Sequence, residues 1–192
     1  MKWTTTLTIV STIALSCLPI KSDAADVPGV SAETVADYIQ AVVQSHRAFY
    51  TGHVVDLLEE QGVARAGGEW STQKKTIPLP VQIVNETNQM FSIKFSGLRY
   101  QLISLWPINR KNSPRDQIDR SSLETLSARP ERPVTRTVKI DDQLYFHAIY
   151  PDFAVSASCV ACHNGHPNSP KKDFKVGDIM GGLVIEFPLG TQ

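Results

Sequence analysis

The chain has 192 residues, 42% of them hydrophobic and 20% charged, and its 19 basic side chains balance 19 acidic ones for a formal net charge of zero. That is enough chain for one globular domain with its own core, and too little for two comfortable ones. Without a long basic or acidic run, neither nucleic acid nor an anionic membrane surface is implied as a partner.

The first residues read as an export signal: Lys2, an apolar run from Leu7 to Ile20, then Ser22-Asp23-Ala24 as a small-residue cleavage site. Residues 1–24 are expected to be removed, leaving 25–192 as a single domain without a membrane span. A lipoprotein anchored through Cys17 is the alternative, but Ala14-Leu15-Ser16 matches the usual leucine-first lipobox poorly.

A long helix is predicted from Ser31, a good N-cap with Glu33 in the first turn, to near Gly62. Val35, Ile39, Val42, Phe49, Tyr50 and Leu57 form its apolar stripe, and His46 and His53 fall on the same stripe. Two turns, about 10.5 Å, separate the two histidines, so only one of them can face any one point beside the helix. The stretch from Gly62 to Thr76 reads as a loop, and a short helix after Pro80 takes Ile83, Val84, Met90 and Phe91 as its core side. Strands follow at 100–105, 134–140 and 143–150, the last two a hairpin turning at Asp141-Asp142, with a helix over 114–126 between the first strand and the hairpin. The run from Gly182 to Phe187 is the final strand. The order gives an α+β fold with an antiparallel sheet.

Between the last two strands stands Cys159-Val160-Ala161-Cys162-His163. C-x-x-C-H is the pattern of covalent haem attachment, with two thiols for the vinyl groups and an imidazole for the iron. Zinc held by Cys159, Cys162, His163 and His166 is the competing reading, and a disulfide across so small a loop adds little stability. With Cys17 removed, the mature chain has no spare thiol. Export suits the haem reading, because in bacteria with two membranes this attachment takes place outside the cytoplasm. For a second axial ligand, His46 ranks first and His53 second, with Met180, His147 and His166 behind. Arg47 is a candidate to hold a haem propionate, as are Arg110 and Lys111. In a chain without the motif, a histidine on an apolar helix face reads as a hydrogen-bonded core residue.

Beyond the motif, the chain resembles the exported, single-haem c-type cytochromes of PAS-like fold and largely unassigned function, whose members occur alone and as sensor domains. The resemblance is carried by the Arg47 helix with Tyr50, by Leu105-Trp106-Pro107-Ile108-Asn109 running to Asn112 and Pro114, and by the block from Cys159 to Phe187. Within that block stand His166-Pro167, Ser169-Pro170-Lys171, Phe174, Gly177-Asp178 and Gly181-Gly182. It implies a PAS-like antiparallel sheet with flanking helices, a long N-terminal helix, and one haem c in a loop near the C-terminus with His163 proximal. Some relatives place a cysteine on the N-terminal helix as the sixth ligand. This chain has none there, and His46 lies close to that position.

The expected function is electron transfer by a periplasmic monohaem c-type cytochrome working with a redox partner protein. The alternative is a sensor or binding module for redox state or for NO, CO or O2, signalling through a partner protein; pairing of two copies stays open. An enzyme is the least supported class, since no distal acid–base pair is legible.

Overall fold

The structure, a computed structural model, describes residues 29–190; the expected signal segment 1–24 and Cys17 lie outside them. Ser31 caps the first helix as its sequence requires, its Oγ accepting the Thr34 N–H at 3.1 Å. The helix runs through Ala32–Tyr50 (α1), passes into a π-helical stretch at Thr51–Val55, and resumes at Asp56–Glu60 (α2). Gly62, at φ +64°, then ends it. A π-helical insertion adds a residue to the turn and shifts the face that later residues present.

The expected loop contains one short parallel pairing, Arg65–Ala66 (β1) with Thr76–Ile77 (β2). Pro80–Lys94 (α3) starts on a proline, and the Gln82 side chain accepts the Leu79 N–H at 2.9 Å. Of its predicted core residues Val84 is buried, whereas Met90 and Phe91 are exposed. Arg99–Ile103 (β3) leads through a 3-10 turn at Arg110–Asn112 to Gln117–Ala128 (α4), which Asp116 caps. Val134–Ile140 (β4) and Gln143–Phe153 (β5) form the expected hairpin, with Asp141 in the left-handed region at φ +53°. Ala157–Gly165 (α5) and Ile179–Pro188 (β6) complete the chain. The C-x-x-C-H motif therefore lies on a short helix within the connection expected as a loop.

The sheet order is β3-β6-β5-β4, antiparallel throughout. Alternation along the strands sorts the core into two layers. Tyr100, Leu102, Ala148, Tyr150, Leu183 and Ile185 pack against Ala36 of α1 and Val84 of α3, while Ile103, Ile149 and Val184 pack against Leu123 and Leu126 of α4. On the α4 face, Glu186 accepts both Arg115 guanidinium nitrogens at 3.0 Å and lies 3.1 Å from Nδ1 of the fully buried His147. Burial alone would raise the Glu186 pKa; hydrogen bonds from His147 and Arg115, with the charges of Arg99 and Arg115, instead bring it down to about 2. His147, a lower-ranked ligand candidate, is thus a hydrogen-bonded core histidine.

Gly181 shows how closely the sheet packs beside the motif helix. A Cβ there would overlap the Ile103 carbonyl oxygen of β3, and one on Gly182 would meet Ile149 and, at 3.1 Å, Leu123. These glycines serve strand-to-strand and strand-to-helix contact. Gly181→Ala must separate β3 from β6, at a cost of about 1–3 kcal/mol, and should lower the midpoint of a thermal melt; an unchanged midpoint would contradict that packing.

Candidate functional site

Ser156 begins α5, its Oγ accepting the Cys159 N–H at 3.4 Å. On a helix, positions i, i+3 and i+4 share a face. One turn of α5 therefore gathers Cys159, Cys162 and His163 on one side, which is the chemical reason for two residues between the thiols and none before the imidazole. Ser158 ties this helix to α2, its Oγ donating to Asp56 Oδ1 at 2.5 Å. Both cysteines are free, Cys159 half-buried and Cys162 exposed.

All three side chains line a cavity of about 510 Å³, within the roughly 300–1,000 Å³ of cofactor pockets. Its apolar walls include Val55, Leu79, Val81, Leu102, Ile103, Pro107, Ile108 and Met180. Nδ1 of His163 is buried without a hydrogen-bond partner among the described residues, so Nε2 is the nitrogen left for the cavity. Partial burial first, then the charges of Arg47 and His166, hold the His163 pKa below its ordinary value, which keeps the ring neutral and able to bind a metal. Partial burial, with Glu59 and Cys159 adding, pushes the Cys162 thiol up.

The side of the helix that faces this cavity presents Arg47, Thr51, Val55 and Glu59. Arg47, buried, forms an ion pair with Asp152 at 2.7 Å, and Thr51 Oγ1 donates to the Arg47 carbonyl at 2.8 Å. Asp152 lies where the β5–β6 register shifts, pairing with Gly181 while Phe153 pairs with Ile179, so that Met180 is the extra residue of a bulge.

Neither histidine ranked for the distal position joins them. His46 is exposed and borders a separate groove between α1 and α3, and His53 is exposed, its ring tilted at 38° to that of Phe49 with centroids 4.8 Å apart. Of the stripe that carries them, Val42, Phe49 and Leu57 are exposed as well, whereas Ile39 packs against the core. Arg110 and Lys111 are also absent from the lining, whereas Arg47, Met180 and His166 belong to it. Among the described residues no three or more His, Cys, Asp or Glu side chains converge as a metal site, Cys159, Cys162, His163 and His166 included. Sequence reasoning missed Thr51, Val55, Arg65 and Asp152; their polar or β-branched side chains carry no motif, and only the sheet register brings Asp152 to Arg47.

A four-stranded antiparallel sheet with helices on both faces, holding a cavity against a C-x-x-C-H helix, defines a PAS-like α+β domain. The Tll0287-like family model, Tll0287, matches residues 24–188, and the chain belongs to that family. Among solved structures, the fold is similar to one described as the crystal structure of the cyanobacterial heme-protein Tll0287, with 18% identity and a TM-score of 0.54 over 85% of this chain and 99% of that one. No curated protein matches the chain.

Proposed function

We propose that this protein is an exported monohaem c-type haem protein of the periplasm, whose distal side takes a small external ligand such as NO, CO or O2 and reports it, or the redox state, to a partner protein. The observation that carries the haem reading is the cavity itself: apolar walls, two free thiols and a neutral imidazole on one helical turn. Cys159 and Cys162 would hold the haem through thioether bonds, His163 would ligate it through Nε2, and Arg47 is the buried cation nearest to hand for a propionate. When bound, a haem supplies a one-electron couple and an axial position for a small molecule. Across from α5, the long helix offers Arg47, Thr51, Val55 and Glu59, with no imidazole, thiol or thioether among them and the Glu59 carboxylate already accepting the Ala66 N–H, and this favours ligand binding.

Electron transfer with six fixed ligands is the second reading. It rests on Met180 and His166, both of which line the cavity. Met180 belongs to the buried cluster of Ala154 and Phe174, against which Trp106 and Cys159 pack and whose Phe174 touches the His163 ring, and this weighs against it as a distal ligand. Among the described residues no helix is long and apolar enough to cross a membrane.

The test is the absorption spectrum of the dithionite-reduced, exported protein before and after carbon monoxide, recorded for wild type, His46→Ala and His53→Ala. A CO-shifted Soret band is expected in all three, with both variants matching wild type before CO is added. A CO-indifferent wild type would transfer the argument to electron transfer. A changed spectrum confined to one variant would restore that histidine as the distal ligand.

A further inference from the structure

Ligating histidines almost always fix their ring by donating the second N–H to a carbonyl, carboxylate or water. In His163 that nitrogen, Nδ1, is buried and has no such partner among the described residues. What surrounds the ring is aromatic. Phe174, 3% exposed, meets it edge to face, with centroids 5.9 Å apart and planes at 88°. Trp106 stands edge-on to Phe174 at 6.0 Å, and the Lys171 ammonium lies 4.9 Å from the Phe174 centroid and 5.5 Å from that of Trp106.

Phe174 is also bound to the motif helix. Asn164, the residue after His163, donates from Nδ2 to the Phe174 carbonyl at 2.9 Å and accepts the Phe174 N–H on Oδ1 at 3.0 Å. One amide side chain thus satisfies both backbone groups of one residue, and Phe174 is held to α5 although ten residues of chain separate it from Asn164. The contact is too specific to be chance filling of the core, because the residue next to the imidazole clasps the ring that touches it.

We propose, resting on the haem reading above, that Phe174 and Asn164 are positioning residues for the proximal ligand. The clasp between them, backed by Trp106 and Lys171, sets the plane of the His163 imidazole through aromatic contact with the Phe174 ring. The imidazole orientation depends on a van der Waals contact that a single side-chain change can remove.

The experiment uses the exported, full-length holoprotein as wild type, Phe174→Leu, Phe174→Tyr, Asn164→Ala and Phe146→Leu, the last removing a core aromatic outside the cavity lining. Covalent haem is measured after denaturation as the pyridine haemochrome, and ring orientation is read from the EPR g values of the low-spin ferric cyanide adduct. Phe174→Leu and Asn164→Ala should keep haem at the wild-type ratio while their g values shift and broaden. Phe174→Tyr, which retains the ring, should restore the wild-type signal, and Phe146→Leu should lower the melting midpoint with g values unmoved. Wild-type g values in haem-loaded Phe174→Leu and Asn164→Ala would overturn the proposal. Should Phe174→Leu not accumulate, the g values of Asn164→Ala decide alone. Absence of haemochrome from wild type would instead sink the haem reading, and the proposal with it.

Discussion

Replacing Cys159 and Cys162 together by alanine should reduce covalently bound haem from one per chain to none, read as loss of all haem staining from the denatured protein. The expectation follows from α5, where one helical turn puts both thiols and the His163 imidazole on the cavity side, and from the lack of any other cysteine among the described residues. Each single variant should keep one thioether, and with it a haemochrome band displaced by the vinyl group left unreacted. His163→Ala should keep both links yet lose native ligation, so its stain persists while its native spectrum changes. This split separates attachment from ligation. Haem staining that survives the double variant would refute the assignment, and stoichiometric zinc in the wild-type protein would move it to the chemistry weighed against haem at the outset.

The hairpin, the helix starts at Ser31 and Pro80 and the last strand were all legible because each rests on local chemistry: a cap, a turn, an alternation. The PAS-like fold was legible through resemblance and is upheld by the family match and the shared fold. The facing of the long helix was not. Its apolar residues predict a stripe through Val42, Phe49 and Leu57, and with it a buried His46 or His53. The residues actually buried on it are Ala36, Arg47, Thr51 and Val55. Two causes are physical. The helix faces a cavity and a buried carboxylate, so its inner side is small or polar, which hydrophobic periodicity cannot recognise. A π-helical stretch also begins at Thr51, and a uniform 3.6-residue period cannot carry a facing across it. Likewise the helical form of 157–165 was hidden, since its apolar pattern is weak and its start depends on Ser156 alone.

Arg47→Met should destabilise the fold by about 3–5 kcal/mol, the usual cost of leaving one half of a buried ion pair unpartnered, seen as a lower midpoint in urea. The pair joins α1 to the bulge between β5 and β6, with Arg47 Nη1 2.7 Å and Nη2 3.3 Å from the two Asp152 oxygens and both residues nearly excluded from solvent. Burial pushes the Asp152 carboxyl above its ordinary value, while the charge of Arg47, and then Gln44, pull it back. A carboxyl whose pKa is higher folded than unfolded favours the fold below its unfolded pKa and loses that contribution as pH rises through the folded one. Without Arg47 the Asp152 pKa climbs further, so the deficit of the variant should be small in acid and grow as the pH rises towards neutral. A deficit constant with pH would show that lost packing of the arginine stem, and not the stranded carboxylate, is responsible. The pair Arg47→Met with Asp152→Leu removes both charges and should recover most of the loss. Because both residues line the cavity, that double variant also separates stability from function: a folded, haem-loaded protein with an altered CO response would place the pair at the distal side of the haem as well as in the core.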